Sequence, residues 1–157
     1  MILESHIVIS GKTFIGKGTK IWPFASVGSD PQDLKYAGEK TALTIGQHNL
    51  IRECVSISVG TDGGGGNTSI GNNCLFMLGS HVGHDCKLGD NIVIANNSAI
   101  AGHVTIEDNV NIGGLVGVDQ FCSIGEGAMN VSYTHLRAHE TRDARGCRVM
   151  LEKKTQV

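Results

Sequence analysis

His81, His84 and His103 lie close together in the chain, with Asp85, Gly102 and Gln120 among or just beyond them. These are residue types that move protons and hold polar ligands. Imidazole titrates near neutral pH, so His84 is a candidate general base that takes a proton from a hydroxyl, a service worth roughly 10²–10⁴ in rate. Asp85 is the candidate carboxylate to orient it. Adjacent residues on a strand face opposite sides, so Asp85 reaches His84 only if the backbone turns a corner there. Gly102 has room for a substrate and an N–H to offer a developing oxyanion. His81, His103 and Gln120 are candidate ligand-holding groups. Each residue also has a plainer reading: a solvated corner histidine, a turn glycine, a surface amide. Three imidazoles with a water would also make a catalytic zinc site, so His81, His84 and His103 keep that chemistry open.

A repeat of six residues brings these groups together. From Ile70 every sixth residue is large and apolar: Phe76, Val82, Leu88, Ile94, Ile100, Ile106, Ile112, Val118 and Ile124. The same phase runs through Ile9, Ile15, Ile21 and Val27, and through Ile45, Ile51 and Ile57. Four residues after each aliphatic comes a small or β-branched side chain, as at Thr19, Ala25, Cys74, Ser80, Cys86, Ser98, Val104 and Cys122, with Asn49 and Ile92 as exceptions. A period of six fits neither an amphipathic helix nor a long strand. It fits a short strand and a corner, three to a coil, in an all-β solenoid: a parallel β-helix of triangular section. Coils then stack about 4.8 Å apart. Each inward aliphatic contributes roughly 1.5–3 kcal/mol by burial.

Eighteen-residue coils predict neighbours. His84, Gly102 and Gln120 share a phase, as do Asp85 and His103, so all five fall in one band on one side of the prism, with His81 near the same corner. The repeat covers residues 1–129. Residues 29–43 and about 60–68 break it and read as loops extruded from the prism, the second a flexible glycine-rich stretch. Gly63 to Gly66 lack the following Gly-Lys-Ser/Thr of a phosphate loop. Cys74, Cys86 and Cys122 sit in the small-residue column and read as core filling.

Bulk properties bound the rest. Charged residues are 18% and hydrophobic residues 40% of 157, a globular balance in one domain. The net charge of -2 does not point to nucleic acid. No apolar run is long enough to span a membrane. The start, Met1-Ile2-Leu3-Glu4, lacks the pattern of a secretory leader, so the expectation is a cytoplasmic chain with reduced cysteines. Residues 1–129 hold 7 Lys/Arg against 12 Asp/Glu, whereas residues 130–157 hold 6 against 3. This basic tail has no hexads and no helical period, and it reads as a segment foreign to the repeat domain.

The segment Ser80-His81-Val82-Gly83-His84-Asp85-Cys86 resembles the active-site segment of the acyl-[acyl-carrier-protein]–UDP-N-acetylglucosamine O-acyltransferases, bacterial hexapeptide-repeat transferases. Gln32-Asp33-Leu34-Lys35-Tyr36-Ala37-Gly38-Glu39, Ile51-Arg52-Glu53, Ala95-Asn96-Asn97, Ala101-Gly102-His103-Val104 and Asp119-Gln120-Phe121-Cys122 extend the likeness from about Leu3 to Met129. The resemblance implies a left-handed β-helix and a homotrimer with active sites between prisms. It implies transfer of a 3-hydroxyacyl chain from acyl carrier protein to the 3-hydroxyl of UDP-N-acetylglucosamine, the first step of lipid A synthesis, without a covalent intermediate. His84 would be the base, Asp85 its orienting partner and Gly102 the oxyanion donor. Asp33, Lys35, His81, His103 and Gln120 would hold the nucleotide sugar. No metal or cofactor is implied, because phosphopantetheine arrives on the donor. The chain departs from the family pattern at Ser58 and Asp119, where many members carry histidine. Family members are longer, so this chain reads as a truncated fragment. Another hexapeptide acyl- or acetyltransferase, a zinc carbonic anhydrase and a non-catalytic solenoid are the competing expectations.

Overall fold

A computed structural model describes residues 1–130, the last by its backbone only, together with the backbone of 135–136 and 148–149. Strands of two to four residues alternate with tight corners and stack into three parallel sheets of seven strands each. Every strand pairs with the one a coil away. His81–Val82 aligns with Ala99–Ile100, and Ala99–Ile100 in turn with Gly117–Val118, so the register is eighteen residues. The fold is the left-handed parallel β-helix.

The hexad column is the core. Ile21, Ile51, Phe76, Ile94 and Ile112 form a ladder behind one face and are essentially inaccessible, as are Val27, Ile57, Val82, Ile100 and Val118 behind the next. Leu3 and Ile9, on the first coil, are exposed because a coil packs on only one side of them. The two departures from the small-residue column are both buried. Ile92 simply fills space. Asn49 uses its amide between coils: its Nδ2 donates to the Gly71 carbonyl at 2.9 Å, and its Oδ1 accepts the Cys74 N–H at 2.8 Å.

The corners carry a second period of six that residue type conceals. Asn73, Gly79, Asp85, Asn91, Asn97, His103, Asn109, Leu115, Phe121 and Gly127 all have positive φ. One left-handed residue per corner swings the four-residue connection through the prism edge. The right-handed preference of crossovers rests on a long connection packing back over its sheet. A corner this short has nothing to pack, so that rule does not act here.

Both interruptions of the repeat leave from one edge, the edge that also bears Asp85, His103 and Phe121. Their bounds are narrower than the hexads imply. Ala42–Ile45 and Asn67–Ile70 are strands, and Leu43 and Thr68 are fully buried, so the excursions are 30–41 and 60–66. The second contains a single 3-10 turn, Asp62–Gly64. Of the basic tail, His135–Leu136 and Arg148–Val149 pair in parallel with Gly117–Val118 and Ser123–Ile124. The rest of the expectation about 130–157 lies outside the described residues. Among those described, no helix is long and apolar enough to cross a membrane.

Because each coil is stabilised by the two around it, a cavity in a middle coil should be costly. Ile94→Ala should lower unfolding free energy by about 2–5 kcal/mol, read as a fall in the urea midpoint at unchanged slope.

Candidate active site

His84 sits at the prism edge with its neighbours placed by the eighteen-residue register. Its ring lies across Gly102, one coil on. A Cβ on Gly102 would come within 2.6 Å of both Cε1 and Nε2 of that imidazole. Glycine is therefore required at 102 for the ring to occupy this position. His84, Gly102 and Gln120 all border the same groove, as their shared phase predicts.

Asp85 solves the problem of being adjacent to the residue it serves. Its φ of 59° is the corner conformation, and it turns the carboxylate back beneath the neighbouring ring. His84 Nδ1 lies 2.8 Å from Asp85 Oδ2. A carboxylate only accepts, so Nδ1 carries a proton, and in the neutral ring Nε2 keeps its lone pair. The carboxylate is buried, yet it has further donors. Thr61 gives its N–H to Oδ1 at 2.8 Å and its hydroxyl to Oδ2 at 2.6 Å. Thr68 Oγ1 accepts the Asp85 N–H at 2.8 Å and pins the strained backbone. Burial pushes the Asp85 carboxyl up, but the bonds from Thr61 and His84 and the field of His103 outweigh it and hold it below the usual carboxylate range. The pair is thus an ionised carboxylate bound to an imidazole whose other nitrogen lies over Gly102.

His103 flanks this pair. Its Nε2 is 3.8 Å from Asp85 Oδ2, its ring meets His84 edge-on at 4.9 Å, and Phe121 stacks on it at 4.6 Å and 7°. His81 stands one strand position from the edge, half-buried, its Nδ1 hydrogen-bonded to Ser56 Oγ at 2.7 Å. Burial first, then the neighbouring His84, pushes His81 below the ordinary imidazole range. An open groove of about 340 Å³ runs over this face, floored by Gly83, Ala99, Ala101 and Gly117 and walled by Gln32, Ser58, His81, His84, Asp119 and Gln120. Apart from Val118 the apolar lining is glycine and alanine, which leaves the space open.

The hexapeptide model of the bacterial transferases matches residues 67–102. An acyl-[acyl-carrier-protein]–UDP-N-acetylglucosamine O-acyltransferase from Paracoccus denitrificans (strain Pd 1222) is 52% identical over 118 residues, 75% of this chain and 45% of the relative. A solved UDP-N-acetylglucosamine acyltransferase superposes with TM-score 0.83 at 46% identity, covering 85% of this chain and 52% of that one. The LpxA structure from Acinetobacter baumannii gives TM-score 0.78 at 35% identity, covering 87% of this chain and 67% of that one. The chain belongs to the acyl-[acyl-carrier-protein]–UDP-N-acetylglucosamine O-acyltransferase family. It spans a little under half the length of the curated relatives it matches.

Within the family frame, the structure brings together His81, His84, Asp85, Gly102, His103 and Gln120, but it leaves Asp33 and Lys35 off the groove wall. Those two form a local turn in the 30–41 excursion, with the Lys35 N–H donating to Asp33 Oδ1 at 3.0 Å. Gln32, beside them, is the residue of that loop that reaches the groove. Ser58 and Asp119, where many family members carry histidine, both face the groove. Among the described residues, the set of side chains able to converge on a metal is His84, Asp85 and His103, within 4.8 Å of one another, rather than the three histidines of the zinc reading. Within that set, His84 Nδ1 and Asp85 Oδ2 are already bonded to each other. Ser56, Thr61, Thr68 and Gly64 were not legible as site residues. Thr61 stood in the small-residue column, and the 60–66 loop read as flexible, whereas Gly64 lies so close that a Cβ there would overlap the Asp85 carboxylate.

Two outcomes follow. Gly102→Ala should expel the His84 ring and break its bond to Asp85, seen as loss of the Nδ1–H signal in imidazole NMR while the β-helix remains folded. Because the folded state depresses His81, the unfolded chain takes up protons first as pH falls. Stability should therefore decline as pH drops from about 6.5, the unfolded histidine value, towards the lower folded value. His81→Gln should flatten that limb in urea midpoints measured across pH.

Proposed function

We propose that this chain supplies the acyl-transfer centre of an enzyme that moves a 3-hydroxyacyl group from acyl carrier protein to the glucosamine 3-hydroxyl of UDP-N-acetylglucosamine, the first step of lipid A synthesis. One observation carries the reading: an imidazole with Nδ1 committed to a buried carboxylate and Nε2 left over a glycine at the wall of a groove. Family membership supports the choice of substrates.

His84 Nε2 takes the proton of the sugar 3-hydroxyl as that oxygen attacks the thioester carbonyl carbon. Asp85 keeps the ring in the reactive tautomer and stabilises the imidazolium that forms. The Gly102 N–H is assigned to the oxyanion of the tetrahedral intermediate. Collapse breaks the carbon–sulfur bond, and the departing thiolate receives the proton from His84. The ester and the free phosphopantetheine thiol leave, with no acyl group on the protein. His81, His103 and Gln120 are assigned to the nucleotide sugar, His81 and Gln120 from the groove wall. Asp33 and Lys35 act from the loop that brings Gln32 to it. The chemistry as written needs no resident metal or cofactor. The groove is open on its outer side, which suits a homotrimer in which a second prism closes it. We place the protein in the cytoplasm, where its thiols stay reduced.

The test joins this segment to the remaining length of a family member. His84→Ala should lower kcat for acyl transfer by about 10²–10⁴. Turnover close to that of the parent would remove the base assignment.

A further inference from the structure

The 60–66 excursion makes no contribution to the groove wall, yet it is shaped around the group beneath the base. We propose that Thr61 is a positioning residue, one that holds the Asp85 carboxylate in the single orientation that fixes the His84 tautomer. The proposal rests on the reading of His84 as the base.

Three donors serve the Asp85 carboxylate in short bonds, and two come from Thr61: the N–H to Oδ1 and the hydroxyl to Oδ2. The third is His84 Nδ1, on the same Oδ2 as the hydroxyl. The terminal torsion of aspartate is broad and roughly two-fold, so rotamer preference alone does not fix the carboxylate plane. A grip on both oxygens from one residue does. The loop in turn holds Thr61, because the N–H groups of Gly64 and Gly66 both return to its carbonyl, at 3.1 and 2.8 Å. Gly64 comes so close to the carboxylate that no side chain fits there. Thr61 is itself buried and absent from the groove wall, so it acts through Asp85 and not on a ligand. A hydroxyl kept merely to fill the core column would not need its backbone folded back on the same carboxylate.

The discriminating readout is the tautomer of His84, followed in this chain by long-range ¹H–¹⁵N spectra of labelled imidazoles. The parent should show Nδ1–H. Thr61→Val should give a mixture with the Nε2–H form, and Thr61→Ser should restore the parent pattern. In the full-length enzyme the same valine variant should lose about tenfold to a hundredfold in kcat, by analogy with partners that orient metal-ligating side chains, with KM little changed. A folded Thr61→Val chain that keeps the parent tautomer overturns the proposal. If that variant does not fold, Thr61→Ala, which retains the backbone N–H, is read in the same way. Unfolding of both would show a structural role and overturn it as well. Absence of acyl transfer in the parent enzyme would sink the functional reading alone, since the tautomer is measured without substrate.

Discussion

A strand of two residues has no stability of its own. One in mid-stack persists because its N–H and C=O groups are taken up by a strand one coil before it and another one coil after, as His81–Val82 is held between Ser56–Ile57 and Ala99–Ile100. The pair above His81–Val82 is eighteen residues away and the pair below is twenty-five, because the 60–66 excursion intervenes, yet the ladder does not notice. In-register pairing between coils therefore separates two requirements that compete in most folds. The coils must match each other, and the chain between them is free to lengthen at an edge.

That separation explains the placing of the site. Stacking His84 over Gly102 and Gln120 costs nothing beyond the register already needed for the core, and the distance between rungs is set by backbone pairing and not by side-chain packing. A ring on one coil then lies over the backbone of the next at a fixed separation. The same fixed spacing makes Gly102 necessary to the ring's position, since a Cβ there would fall on the imidazole itself.

The ladder of large aliphatics was readable because one residue type does one job: only a bulky apolar side chain fills the axis, so the period shows in composition. The corner column was not readable for the opposite reason. Asn73, Asp85, His103, Leu115 and Phe121 share a backbone conformation and no chemistry. Left-handed backbone is tolerated best by glycine and asparagine, but the stacked neighbours hold the other types in it. The pairing of His84 with Asp85 depended on that hidden column, and so the residues were legible while their contact was conditional. Thr61 and Thr68 were further out of reach. Their role appears only once two segments distant in sequence close on one carboxylate, and neither segment carries a pattern that announces the other.

Burying Asp85 sets the last constraint. An ionised carboxylate removed from water must be given donors, or it takes up a proton instead. An uninterrupted coil has few to give, because its backbone N–H groups are consumed between rungs: those of His81, Gly83, Lys87 and His103 all go to carbonyls of a neighbouring coil. Corner N–H groups can still reach a carboxylate, as those of Asn72 and Asp90 do towards Asp90 and Asp108, but Asp85 draws its donors from a break in the repeat. The 60–66 excursion makes that break one coil before Asp85, at the same edge, and releases the Thr61 N–H and hydroxyl from ladder duty. The interruption thus serves the chemistry as well as the chain path. Hexads alone display the imidazole at the edge, and the excursion brings both an N–H and a hydroxyl to the carboxylate that aims it.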